Sequence, residues 1–255
     1  MTPSIEQIES LCASTPWLGK GSAGSFSFEG KTYDIPRYTF VGPDSHVDPM
    51  RVGLFATLHG DEPEALSGLV EWVNELAIDP SPAKGYQLYL YPVCNPVGLE
   101  RKTRENGNGK DLNREFWKSS SQPEVCILER ELWTHSFKGI VSLHSDDTST
   151  GLYGFVGGTA TLTKNLLVPA LLAAEKYLPV NRDETIDGFG AQHGIIESGY
   201  TGILTSPPEM HPRPFEIVFE TPQKSPLPAQ LSALKVALTT MLNEYRSLIS
   251  IAQDI

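Results

Sequence analysis

Four side chains in this 255-residue chain have the atom types that metal-assisted hydrolysis needs: His59, Glu62, His144 and Glu220. His59-Gly-Asp-Glu62 sets an imidazole and a carboxylate three residues apart, and Gly60 permits tight backbone between them. Zinc takes such nitrogen and oxygen donors at about 2.0–2.2 Å, and catalytic zinc uses three protein ligands plus water. Taken alone, the pair reads more simply as a helix N-terminus in solvent. His144 closes Ser142-Leu143-His144 and offers the third donor. His46, His135, His193 and His211 compete with it. His135 precedes a strand, however, and His193 and His211 lie among glycines and prolines. Glu220 ends Ile217-Val218-Phe219-Glu220. Apolar neighbours raise a carboxylate's pKa, which suits a general base near neutral pH. Its alternative is a solvated glutamate at a strand exit.

The loop from Asn95 to Phe116 is the most specific stretch. It carries Arg101, Lys102, Arg104, Lys110 and Arg114 against four acidic residues, a local +1 in a chain of net charge −11. A guanidinium fork holds a carboxylate through two parallel bonds, and a second arginine can donate to an oxyanion. A salt-bridged surface loop is the competing reading, and Asn106-Gly-Asn-Gly109 fits it.

The elements that must position these groups follow from hydrophobic periodicity. Met1 to Thr15 reads as a short amphipathic helix with Ile5, Ile8 and Leu11. Strands are expected at Tyr38–Val41, Arg51–Leu58, Gln87–Val93, Gly139–His144 and Phe215–Glu220. Helices are expected from Asp61-Glu62-Pro63 (Leu66, Leu69, Val73 and Leu76 facing a core), over Glu124–Phe137 and Leu166–Tyr177, and over Ala229–Ile249. Strands alternating with helices predict a three-layer α/β fold, with a mixed, mostly parallel central sheet between helices. His59, His144 and Glu220 each follow or end a strand, and ligand crevices in such sheets lie beyond the carboxyl ends of the strands.

Composition excludes several classes of protein. Hydrophobic residues make up 40% and charged residues 20%, so the chain is globular, and with no internal repeat or low-complexity linker residues 1–255 read as one domain. The acidic charge disfavours nucleic acid and anionic membranes as partners. No run of about 20 apolar residues exists to span a bilayer, and the start lacks a signal-peptide pattern. Cys12, Cys94 and Cys126 form no ligand-like pair, and an odd count argues against a disulfide framework, so a reduced cytoplasmic protein is expected. No Gly-x-Ser-x-Gly elbow is present, and Cys94 lies in an apolar strand, which disfavours serine or cysteine nucleophiles.

Taken together, His59-Gly-Asp-Glu62, Arg104, Asn113-Arg114, Ser-Leu-His144-Ser and Phe-Glu220-Thr resemble the pattern of the zinc metallocarboxypeptidases of the carboxypeptidase A type. They also resemble the related succinylglutamate desuccinylase/aspartoacylase group. The order matches, and the span from 59 to 220 covers well over half the chain. The resemblance implies one zinc on His59, Glu62 and His144, with Glu220 as the base. It implies Arg104 at the oxyanion, with Arg101 as the runner-up. Asn113 and Arg114 would clamp the substrate carboxylate, and Tyr200, 20 residues before Glu220, would close over the substrate. The substrate would be a small peptide, a cell-wall-type peptide or an N-acyl amino acid. An inactive binding module on the same fold is the other alternative, and the full set of ligands and the base disfavours it. The chain departs from the pattern at Asp146-Asp147, which either favour cationic or amine-bearing substrates or are solvated loop carboxylates. Only 35 residues follow Glu220. That favours a carboxypeptidase-like domain over desuccinylases with a further domain, although compact deacylases also fit.

Overall fold

A computed structural model describes residues 3–45 and 47–253. His46 and the two residues at either terminus lie outside them. The chain opens with a helix, α1 (Pro3–Ser14), then a long hairpin, β1 (Leu18–Phe28) and β2 (Lys31–Val41). The alternating units follow: β3 (Met50–Ala56), α2 (Pro63–Ile78), β4 (Tyr86–Tyr91), α3 (Pro96–Arg101), α4 (Pro123–His135), β5 (Gly139–Asp146), β6 (Tyr153–Gly158) and α5 (Ala160–Ala174). Three two-residue strands come next, β7 (Thr185–Ile186), β8 (Phe189–Gly190) and β9 (Ile195–Ile196). The last elements are β10 (Phe215–Pro222) and α6 (Leu227–Gln253).

Eight strands form one sheet in the order β1-β2-β4-β3-β5-β10-β6-β9. The central four, β4-β3-β5-β10, are parallel. β5 and β10 are buried along nearly their whole length, as strands covered on both faces must be. On one face, Leu66, Leu69 and Val73 of α2, Leu166 of α5 and Leu234, Leu238 and Met241 of α6 close the larger core. On the other, α4 contributes Val125, Leu128 and Leu132 beside Phe55, Tyr91 and Phe116. This is the three-layer, mostly parallel architecture that the periodicity predicts.

Register carries the site. β5 and β10 run parallel with Glu220 opposite His144, so the two side chains stand side by side on neighbouring strands. β3 pairs Ala56 with Leu143, and three further residues bring the chain to His59 at the same sheet edge. Thr57 sits at φ 56°, a left-handed conformation unfavourable for a β-branched residue. Its hydroxyl donates to the Pro92 carbonyl at 2.9 Å, which helps hold the turn.

Several elements escape the periodicity. β1, Leu-Gly-Lys-Gly-Ser-Ala-Gly-Ser-Phe-Ser-Phe, is an edge strand that buries little, so its residues alternate weakly. Pro36 makes β2 read as a strand only from Tyr38. It is tolerated because it pairs with Ser22, where the register shifts at a bulge. The expected loop after Asn95 starts as a helix, α3, capped by the Asn95 side chain, which accepts from Gly98 N at 2.9 Å. α5 begins six residues before the expected Leu166, because its first turn is polar and carries no apolar stripe.

Candidate active site

The candidate metal-binding group is assembled by close backbone approach. A side chain at Gly60 would put its Cβ 1.9 Å from the Gly98 carbonyl carbon, so the His59–Asp61 turn packs directly on α3. Glu62 is the N-cap of α2 and Pro63 its first residue, yet its side chain makes no capping bond. It turns inward. One carboxylate oxygen lies 2.5 Å from His59 Nδ1 and the other 2.8 Å from His144 Nδ1, with the two ring nitrogens 3.2 Å apart. All three residues are buried, His59 at 3%, Glu62 at 4% and His144 at 1% exposure. Their donor atoms converge within 4.8 Å of one another.

The far nitrogens of both rings are also held. His59 Nε2 faces Asp111 Oδ1 at 3.1 Å, and His144 Nε2 faces the Ser142 hydroxyl at 2.8 Å. In a metal-bound form Nε2–H would donate outward to these partners and leave both Nδ1 atoms facing the common centre, the usual support for imidazole ligands. Two imidazole nitrogens and a carboxylate are the donor set of a catalytic zinc site, so these residues fit the ion.

Electrostatics follow from burial and crowding. Burial lowers the basicity of His59, but the negative charges of Glu62 and Asp111 more than offset it and hold its pKa up at about 9. Burial would raise Glu62, yet the His144 and His59 rings bring it down to about 2. His144 moves downward through burial, against the pull of Glu62. Glu220 is raised well above the carboxylate range by burial, then by the negative charges of Glu62, Asp146 and Asp187. No side-chain hydrogen bond reaches Glu220 among the described residues, and it is half-buried in the cavity wall.

That cavity has a volume of about 500 Å³ and includes His59, Glu62, Arg104, Asn113, Arg114, Tyr200 and Glu220 in its lining. Arg104 donates to Asp111 Oδ2 from Nε at 3.2 Å and from Nη2 at 3.0 Å, and its Nη1 lies 3.6 Å from Glu62. Asn113 accepts from Leu204 N at 2.9 Å, which ties the loop to the segment beyond Tyr200. The Arg114 guanidinium lies 3.6 Å over the Tyr200 ring, and the Tyr200 hydroxyl donates to Asp187 at 3.1 Å. Arg101 is not brought in. Its side chain points away, pairing with Glu29 at 2.6 Å and lying over Phe28. The structure thus places Arg101, the runner-up to Arg104 at the oxyanion, outside the cavity lining: it lies at the end of α3, and the helix turns it outward.

Among the described residues, the competing histidines are elsewhere. His135 packs against Glu131 and Arg37, while His193 and His211 are exposed. Cys94 is fully buried and its thiol is pushed far up by burial, as an inert core thiol should be. Four contributors were not singled out from sequence: Asp111, Ser142, Tyr153 and Asp187. Ser142 carried a signal, since a residue two before His144 on a strand shares its face. Asp111 carried only its type, and Tyr153 and Asp187 lie in segments with no legible pattern.

The sequence matches the succinylglutamate desuccinylase/aspartoacylase catalytic domain over residues 49–162, which contain His59, Glu62 and His144 but not Glu220. A provisionally assigned metallopeptidase of Shewanella baltica OS155 shares the fold with a TM-score of 0.76 at 20% identity, covering 94% of this chain and 89% of that one. A metallo-carboxypeptidase of Burkholderia cenocepacia gives 0.72 at 16% identity, over 95% and 68%. Carboxypeptidase A of Helicoverpa armigera gives 0.67 at 16%, over 92% and 71%. No curated protein matches the sequence. At these identities the structural likeness is one of fold.

Proposed function

We propose that this chain is a zinc-dependent hydrolase of an amide bond beside a free carboxylate, a reading supported by its match over residues 49–162 to the succinylglutamate desuccinylase/aspartoacylase catalytic domain and by its carboxypeptidase-like fold. Residues 1–255 would form one catalytic domain. His59, Glu62 and His144 would hold one zinc, which when bound supplies Lewis acidity and a water of lowered pKa. The observation that carries the reading is the pairing of that converged donor group with an unpartnered glutamate on the neighbouring strand.

Glu220 would take the proton of the attacking water and return it to the leaving amine. Its raised pKa is the tuning that a base and acid working near neutral pH requires. Arg104, beside Glu62, would exchange part of its bond to Asp111 for the oxyanion. Asn113 and Arg114 would hold the substrate carboxylate, with Tyr200 stacked on Arg114. The family match over residues 49–162 favours a second reading, an N-acyl-amino-acid deacylase using the same groups.

Protein purified without a metal-affinity tag should carry about one zinc per chain. A panel of C-terminal dipeptides and N-acyl amino acids then separates peptidase from deacylase. Full hydrolytic activity in protein stripped of metal would overturn the proposal.

A further inference from the structure

Away from the active cavity, α5 carries more apolar surface than its own packing uses. Leu166, Leu167, Ala170, Leu171 and Ala174 face the larger core, the one stripe that an amphipathic helix needs. Val168 and Leu172 lie to one side of that stripe, and Leu172 is 63% exposed. Beside them runs a groove of about 410 Å³ between α5 and β9, the last strand of the sheet. Its apolar lining is Val168, Leu171, Leu172, Val180 and Ile195, and it shares no residue with the lining of the active cavity. A projecting leucine next to an apolar groove is a knob and a hole on one face, which is what a two-fold interface between identical chains requires.

Charge selects the occupant. Lys164, Val168, Leu171 and Glu175 are spaced four, three and four residues apart along α5 and its C-cap. That is the spacing of a two-helix seam, here with an apolar middle and opposite charges at its ends. Laid antiparallel on a second copy of itself, the seam is self-complementary: Lys164 faces Glu175 of the second copy, and Val168 faces Leu171. On the far bank of the groove Glu197 pairs with Lys164, and Arg182 pairs with Glu175 at 2.6 Å. Each end of the groove therefore holds one charge of either sign. A second copy in this orientation sets a positive charge against each negative one along the seam. A parallel copy would set Lys164 against Lys164, and a partner of one charge sign would meet like charge at one end.

We infer that the protein forms a two-fold homodimer in which α5 packs antiparallel on α5 of a second copy, with Leu172 of each chain seated in the groove of the other. Val180 and Ile195 carry the contact beyond the helix, towards the roughly 1,000 Å² that a specific interface needs.

The experiment is sedimentation equilibrium of the full chain at ~50 µM, where a dimer of micromolar Kd is mostly assembled. Wild type should show twice the chain mass. Leu172→Asp should weaken association at least about 10-fold, because it removes an apolar knob and adds a charge at the contact. Leu172→Ala, which adds no charge, should show a smaller loss in the same direction and serves if the aspartate disturbs folding. Circular dichroism should match wild type in both, since the side chain is exposed in the single chain. A charge-reversal cycle then tests the orientation. K164E and E175K should each weaken the dimer, and the two together should recover part of the loss. The pairs with Glu197 and Arg182 stay broken in the double variant, so recovery reports contact between chains. A monomer at this concentration, a dimer indifferent to both Leu172 variants, or a double variant as weak as the two single losses combined overturns the inference. None of these outcomes depends on the hydrolase reading.

Discussion

Glu131 and Glu220 are both glutamates set among apolar side chains of this α/β sandwich, and they are treated in opposite ways. Glu131, on α4, sits under β2 and β4 with one oxygen taken by Arg37 at 2.9 Å, the Tyr91 hydroxyl at 2.8 Å and His135 at 3.2 Å. Against the burial that would raise it, these bonds lower its pKa. Glu220 sits in a cavity wall with no such partner, and burial and neighbouring acids raise it. A saturated carboxylate holds two layers together. An unsaturated one, kept half-buried beside a converged donor group, retains the capacity to take and release a proton. Buried polar groups are normally paired because an unpaired one is costly, so the unpaired glutamate is the one whose environment calls for a functional account.

That contrast can be broken or sharpened by experiment, and the largest expected effect is at Glu220. Glu220→Gln should keep its zinc and lose about 10²- to 10⁴-fold in kcat, the range for a positioned general base. Single-turnover kinetics with metal analysis measures both, and near-normal turnover would move the base elsewhere. Glu131→Ala should do the reverse. It would leave Arg37 without its partner and lower stability by about 2–3 kcal/mol, discounted because the guanidinium is 27% exposed. Denaturant melts give that number, and kcat per folded molecule should hardly change. Unchanged stability would show that the Glu131 knot is not structural.

Smaller effects refine the picture. Arg114→Ala should raise KM about 10- to 100-fold for substrates with a free α-carboxylate, as loss of a charged hydrogen bond does. Amidated analogues should show no such change, and an equal loss on both would remove Arg114 from the clamp. The smallest effect concerns pH. A carboxylate with a lowered folded pKa stabilises the fold above its unfolded pKa of about 4.3, and that stabilisation is lost as pH falls through the folded value. The stability gap between wild type and Glu131→Gln should therefore be full near neutral pH and narrow below about pH 4. A gap that widened on acidification would reverse the assignment.

The amino-acid sequence by itself determined the architecture and marked the candidate reactive groups. Continuous apolar runs at β3, β5 and β10 and helical stripes in α2 and α6 leave few foldings other than a covered parallel sheet. A strand that must be buried on both faces can show a polar group only near its exit. His59, His144 and Glu220 were therefore legible, and so was Arg104-to-Arg114 as a basic loop in an acidic chain. Among the described residues no helix is long and apolar enough to cross a bilayer. Only the tertiary structure decided which loop charges face the centre, because periodicity carries no information about partners distant in sequence. It turned Arg101 outward and Arg104 inward, chose Asp111 and Ser142 to steer the imidazoles, and brought Tyr153 and Asp187 from unpatterned segments into the cavity. The three donors of the metal group come from a turn, a helix cap and a strand 82 residues further on. Their meeting within 4.8 Å is a consequence of sheet register, which sequence spacing cannot express.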